Sequence, residues 1–220
     1  MDGNQFSSPA IGDKGVYVVF PCIYYKLRQS DGVQRWQDGN NCGGGGSTPV
    51  YFDKKVIVRE PSGQFPNSIL DADTGETLGT FPVSASNLIP ALYSSAGRNF
   101  MVYAAGSSLI NYDITNPSAI TTAWSVSLGG QQLSSAPIVV SGYVVEGTFS
   151  GDLYVLSASN GKTVWHTNLG VPVAPTNESD SNPTTGMAAG NGILVVPGGG
   201  AEDGDWTLFA FAPDITSTHR

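Results

Sequence analysis

Between Ser134 and Leu169 the chain reads SSAPIVVSGYVVEGTFSGDLYVLSASNGKTVWHTNL, a series of short apolar and β-branched runs separated by Ser-Gly, Ser-Gly-Asp and Asn-Gly. Such dipeptides supply the positive φ of tight hairpin turns. The pattern predicts four strands of one meander: A (Ser134–Ser141), B (Tyr143–Ser150), C (Gly151–Ser159) and D (Lys162–Leu169). Along strand C, Leu153 and Val155 face away from Tyr154 and Leu156, so both sides of the sheet carry apolar groups and both must be covered. A lone four-stranded unit cannot do this, and the sequence supplies copies of it.

The copies recur along the whole chain. SSPAIG, GVYVVF, IYYKLRQ and VQRW form the first, and STPVYF, KVIVRE, SILDAD and ETLGTF the second. LIPALYS, NFMVYAA, SLINYDI and TAWSVSL form the third, the stretch above is the fourth, and TGMAAGN, GILVVP and DWTLFAFAP form a fifth without a strand D. A proline in strand A recurs at Pro9, Pro49, Pro90 and Pro137, with Met187 in its place in the fifth copy. A strand D aromatic recurs at Trp36, Phe81, Trp124 and Trp165. Spacings of 40 to 47 residues are those of propeller blades. Proline is tolerated at a strand start, and an aromatic on the outer strand fills the wedge that opens between blades toward the rim. The expected fold is therefore all-β, a propeller of about five four-stranded antiparallel blades. Their approximate spans are 6–38, 46–83, 87–128, 134–169 and 185–213, the last lacking its outer strand.

Composition narrows the function classes. Of 220 residues only 13% are charged, while 28 are Gly and 14 Pro, a balance of turns over exposed helix. No run approaches the ~18 consecutive apolar residues of a membrane span. The start MDGNQFSSPAIG has neither the basic nor the apolar region of a signal peptide, so a signal for an exported parent is expected outside this chain. A net charge of −8 with ten scattered Lys and Arg argues against nucleic acid as a partner. Cys22, Cys42, His166 and His219 have spacings that build no zinc motif.

The runs SSPAI, GVYV, DADTGE and ASNGKTVW resemble the pyrroloquinoline quinone (PQQ) repeat, whose blades end in an Ala-to-Gly turn followed by Trp. Ala158 to Gly161 with Trp165, and Asp31, Gly32 and Trp36, match that pattern. Ala72 to Gly75 matches with Phe81 in place of Trp, and the third copy has Asn116-Pro117 in a longer turn before Trp124. PCIYYKL followed by NNCGGGGSTPV is similar to secreted bacterial PQQ-like propeller proteins that carry this Cys pair. The resemblance implies a secreted or otherwise extracytoplasmic protein and a seven- or eight-bladed parent of which this is the C-terminal part, a complete five-bladed protein being the alternative. PQQ-dependent alcohol dehydrogenases of this fold use vicinal half-cystines and a calcium site, and neither can be matched here residue by residue. The expected function is a noncatalytic binding or scaffold module for a protein, glycan or other polymer, with no cofactor. The alternative is a PQQ- or calcium-dependent quinoprotein oxidoreductase with active residues partly outside this chain. Oligomeric state stays open.

In such a meander the A-to-B and C-to-D turns share one face, and the B-to-C turns and crossings to the next blade share the other. The first face has tight turns. The second receives Gln37 to Gly46, Pro61 to Pro66, Gly129 to Leu133, Gly170 to Thr184 and Pro197 to Asp205, and long loops on a rigid scaffold carry binding groups. Cys22 and Cys42 both fall there, as a disulfide in an oxidising compartment or as two unrelated thiols. Glu178, Asp180, Glu202, Asp203 and Asp205 fall there too, as ligand- or cation-binding candidates. Calcium takes ~6 to 8 oxygens, and acidic loops are more often merely solvated, so the metal is left unassigned. Asp71 to Glu76 reads as a hairpin turn with Asx hydrogen bonds, and His166 as an exposed rim residue. No Ser, His and Asp set is expected to come together, and no catalytic residue is expected.

Overall fold

The computed structural model describes residues 7–13, 15–19, 23–39, 47–59, 67–81, 88–176, 186–199 and 206–212. They form five antiparallel sheets, each a meander whose strands pair in chain order. Blade 1 contains β1 (Ala10–Gly12), β2 (Gly15–Val19), β3 (Ile23–Arg28) and β4 (Gln34–Gly39). Blade 2 contains β5 (Val50–Phe52), β6 (Lys55–Val58), β7 (Asn67–Asp71) and β8 (Thr77–Phe81). Blade 3 contains β9 (Ala91–Ser95), β10 (Arg98–Ala105), β11 (Ser108–Asp113) and β12 (Thr121–Ser127), with a short 3₁₀ turn over Pro117–Ala119 before β12. Blade 4 contains β13 (Ile138–Val140), β14 (Tyr143–Gly147), β15 (Asp152–Ser157) and β16 (Thr163–Asn168). Blade 5 has three strands among the described residues, β17 (Ala188–Gly190), β18 (Ile193–Gly198) and β19 (Thr207–Phe211). The chain is an all-β propeller of the PQQ-repeat type whose last blade has no outer strand among the described residues.

Pro9, Pro49, Pro90 and Pro137 each immediately precede the first strand of a blade, as does Met187. A ring without an N–H begins the ladder where no donor is needed. The turns 53–54, 96–97, 141–142 and 191–192 have positive φ at both residues, the type I′ geometry that matches strand twist. All four open with a non-glycine residue, Asp53, Ala96, Ser141 or Asn191, and in all but the first, which continues with Lys54, a glycine follows.

The core is four separate clusters, one between each pair of consecutive blades. Along β7, Leu70 packs with Tyr17 and Tyr24 of blade 1, while Ile69 packs with Met101 and Tyr103 of blade 3. β15 does the same: Leu156 joins Val102 and Trp124 on one side, and Leu153 joins Val173, Met187 and Val196 on the other. A period of two with both phases apolar is what a sheet covered on both sides requires.

Each strand C to strand D pairing is interrupted by a one-residue bulge at the same place, between Lys26 and Leu27, Ile69 and Leu70, Asn111 and Tyr112, and Val155 and Leu156. Directly after it, Lys26 faces Trp36, Asn111 faces Trp124 and Val155 faces Trp165. In blade 2 the residue at that position is Gly79, opposite Ile69, and not Phe81. The expected equivalence of Phe81 with the tryptophans is therefore corrected by two positions. The physical reason is the 3₁₀ turn of blade 3, whose Pro117 carbonyl occupies the place where a side chain on Gly79 would begin.

Candidate functional site: blade joints and the loop-rich face

Two blade joints share one construction. Trp36 donates its indole N–H to the Ala72 carbonyl at 3.2 Å, and the Tyr17 hydroxyl donates to the same oxygen at 3.2 Å. Trp124 donates to the Ala158 carbonyl at 2.8 Å, joined there by the Tyr93 hydroxyl at 3.0 Å. A carbonyl has two lone pairs, and both are used; Asn111 Nδ2 adds a longer bond of 3.5 Å to the Ala158 oxygen and donates to the Tyr93 hydroxyl at 2.8 Å. The rings lie on Gly75 and Gly161, where a Cβ would come within 2.8 Å of the indole and φ is positive, so only glycine closes the turn under the ring. Burial pushes the Tyr17 phenol up to about 12, with Tyr51 and Asp73 adding to the effect. Phe81 is buried at the blade 2 to 3 joint, edge-on to Tyr103. Trp165 is 41% exposed and meets Phe211 edge to face across a cleft of about 700 Å³ between blades 4 and 5.

The second face takes the long connections, 40–49, 59–66, 82–90, 128–137, 169–187 and 199–206, whereas every A-to-B turn has two residues. Gln37 to Gly39 and Pro197 to Gly198, expected in loops, continue β4 and β18, because Gly39 pairs with Ile23 and Gly198 with Thr207. Cys22, Cys42, Glu178, Asp180, Glu202, Asp203 and Asp205 lie outside the described residues.

What the second face does show is a polar cluster at the edge of blade 4. Asp152 Oδ1 accepts from Asn168 Nδ2 at 2.9 Å and pairs with His166 Nε2 at 3.0 Å, while Oδ2 accepts from the Ser150 hydroxyl at 3.0 Å. The Tyr154 ring stacks on His166 with centroids 4.4 Å apart. The amide of Asn168, then His166 and Ser150, hold the Asp152 carboxyl below its usual range against a partial opposing effect of burial. Ser, Asp and His do meet here, contrary to expectation, because cross-strand register sets Tyr154 opposite His166 and Asp152 opposite Asn168. Their wiring is not that of a nucleophile relay. The hydroxyl donates to the carboxylate rather than to the imidazole, so no base activates it. Asp71 Oδ1 accepts from the Asp73 and Thr74 amides at 2.8 Å, which makes that stretch an Asx turn.

Among the described residues no group of three or more His, Cys, Asp or Glu side chains gathers, and the two cysteines are not vicinal. No helix of the described residues is long and apolar enough to cross a membrane.

No curated protein matches the chain significantly. Among solved structures it is similar to BamB from Moraxella catarrhalis, 16% identical with a TM-score of 0.64, over 94% of this chain and 58% of that one. It is similar to a europium-containing methanol dehydrogenase, 12% identical with a TM-score of 0.60, over 89% and 48% of the two chains. It is also similar to the quinohemoprotein alcohol dehydrogenase from Comamonas testosteroni, 15% identical with a TM-score of 0.59, over 87% and 43%. The chain thus spans about half the length of these structures, and identities so low show the fold alone. A PQQ-repeat family model described as outer membrane protein assembly factor BamB matches residues 22–202, and the chain belongs to that family.

Proposed function

We propose that the chain is a noncatalytic, extracytoplasmic propeller module that binds a protein, glycan or other polymer through its second face. The observation that carries this reading is the lopsided distribution of connections. No connection on one face is longer than seven residues, and every connection of eight or more leaves from the other. The family's description as an assembly factor supports a protein partner in particular. The five blades are read as an arc of a larger ring. Ile11 and Leu208, on the sides of blades 1 and 5 turned away from their neighbours, are 70% and 71% exposed, and BamB is a longer chain.

A photo-crosslinking residue at position 180 or 203 of the full-length protein, expressed in its host, is expected to yield discrete adducts that the same residue at 97 or 192 does not. Adducts from the first face alone, or none from the second, would overturn the assignment. Neutralising Glu178, Asp180, Glu202, Asp203 and Asp205 together is expected to abolish those adducts with the melting temperature nearly unchanged, as for most surface substitutions.

The extracytoplasmic setting carries its own test. Cys22 and Cys42 are proposed to form a disulfide, which for a loop of this order contributes ~3 kcal/mol by restricting the unfolded chain. Thiol titration of unfolded, unreduced protein is expected to find none. Two free thiols per chain would refute both the bond and the compartment argument built on it.

A further inference from the structure

Glu146 on β14 is completely buried, and only one of its carboxyl oxygens is bonded. Oε1 accepts from the Ser135 hydroxyl at 3.0 Å and from the Gly147 amide at 3.1 Å, while Oε2 accepts from no described residue. The fold does not require an acid there. Counting from the type I′ turns, the same position is Val58 in blade 2 and Val196 in blade 5, both fully buried. Among the described residues no unpaired charge faces Glu146, since Asp152 and His166, on the same face of the sheet, pair with each other. β15 sets Tyr154 opposite it, the segment before β13 contributes the Ser135 hydroxyl, and the blade 3 residues packed on that side of blade 4, such as Val102, Leu109 and Leu128, are apolar. Arg98 and Asp113 of blade 3 pair with each other at the opposite end of the strands.

The bonds around Glu146 hold down a crossing segment. Ser135 donates to the carboxyl and accepts from the Gly147 amide at 2.9 Å. Its neighbour Ser134 donates its amide to the Gly147 carbonyl at 3.0 Å, and its carbonyl accepts from the Thr176 amide at 3.1 Å. Thr176 Oγ1 accepts from the Ala136 amide at 3.4 Å. Val173 sits where a Cβ on Gly147 would be, and its amide donates to the Thr148 carbonyl at 3.1 Å. The segment seated in this way, 169–176, leads into the longest connection of the second face.

We propose that Glu146 is a protonation switch on the seating of the 169–176 crossing: as the neutral acid it locks Ser135 and Gly147 in place, and on ionisation it releases the crossing. A buried carboxylate without a cation is strongly disfavoured. Burial accordingly raises Glu146 well above the usual carboxylate range, the hydrogen bonds from Ser135 and Gly147 opposing in part. The folded chain keeps its proton where the unfolded chain has lost it. The stabilisation is therefore complete below the ordinary glutamate value and is lost as pH rises toward the folded one.

The test is melting of the parent, Glu146→Gln and Glu146→Val between pH 5 and 8, with amide-exchange protection followed at Val173 and Thr176 and, as a reference, at Ile57. The parent is expected to lose roughly 3 to 5 °C per pH unit, the effect of one proton on a domain of this size. Protection at Val173 and Thr176 is expected to fall at least tenfold over the same range, with Ile57 constant, and both variants are expected to be flat. A parent whose melting and protection do not change with pH overturns the proposal whether or not the variants fold, and so does a variant that keeps the parent's slope.

Discussion

Gly79→Ala will destabilise the chain by about 3 kcal/mol, at the upper end for overpacking in a core, which lowers the melting temperature of a domain of this size by roughly 6 to 12 °C. The added Cβ would sit 1.8 Å from the Pro117 carbonyl oxygen and 2.5 Å from its carbon. These are backbone atoms of a turn fixed at both ends. Asn116 caps it by accepting from the Ser118 amide at 3.3 Å, and Ala119 donates back to the Asn116 carbonyl at 3.0 Å. The turn cannot yield as a side chain would, so blades 2 and 3 must separate. Gly79→Trp, which installs the residue that blades 1, 3 and 4 carry at this position, will be worse still. Gly190→Ala is the control: a Cβ there meets nothing within 4 Å, and its melting temperature should match the parent's. Equal melting of Gly79→Ala and the parent would show that Pro117 does not press on this strand.

That glycine marks where sequence reading succeeded and where it slipped. The strands were legible because apolar phase, turn dipeptides and strand-start prolines agree with one another, and each proline does stand next to a first strand. Aligning blades by their aromatics failed in blade 2, because Phe81 is aromatic for a different reason: it packs on Tyr103 and Ile114 of the next blade. The needed signal was present. Gly32 precedes Trp36 by four, Gly161 precedes Trp165 by four, and four after Gly75 is Gly79. The Asp152 cluster was hidden for another reason, since it depends on cross-strand register and a bulge, which a one-dimensional pattern does not carry. Glu146 was hidden because a single Glu within VVEG looks like the solvent phase of an alternating strand, and only the packing of blade 3 onto it reveals burial.

Trp124→Ala is the other large effect, and its size relative to Trp165→Ala tests how the joints work. Trp124 is buried, donates to a carbonyl of the next blade and covers the glycine of that blade's turn. Removing it opens a cavity and strips the Ala158 carbonyl of the shortest of its three hydrogen bonds, a loss of ~3 to 5 kcal/mol, or roughly 6 to 20 °C. Trp124→Phe separates the two contributions. It keeps much of the ring volume and leaves Tyr93 and Asn111 as donors, so it should fall short of the alanine variant by most of the cavity contribution and lose about 1 kcal/mol for the hydrogen bond. Trp165 occupies the same register position, yet it is 41% exposed beside an open cleft. Its alanine variant should lose well under half as much, because the area removed from water is smaller and the cavity already exists. Thermal melts of the three variants at one pH decide the matter. If Trp165→Ala melts as low as Trp124→Ala, position in the repeat sets the energetics; if it melts much higher, a tryptophan contributes to a joint only when the next blade brings its alanine carbonyl and glycine to meet it.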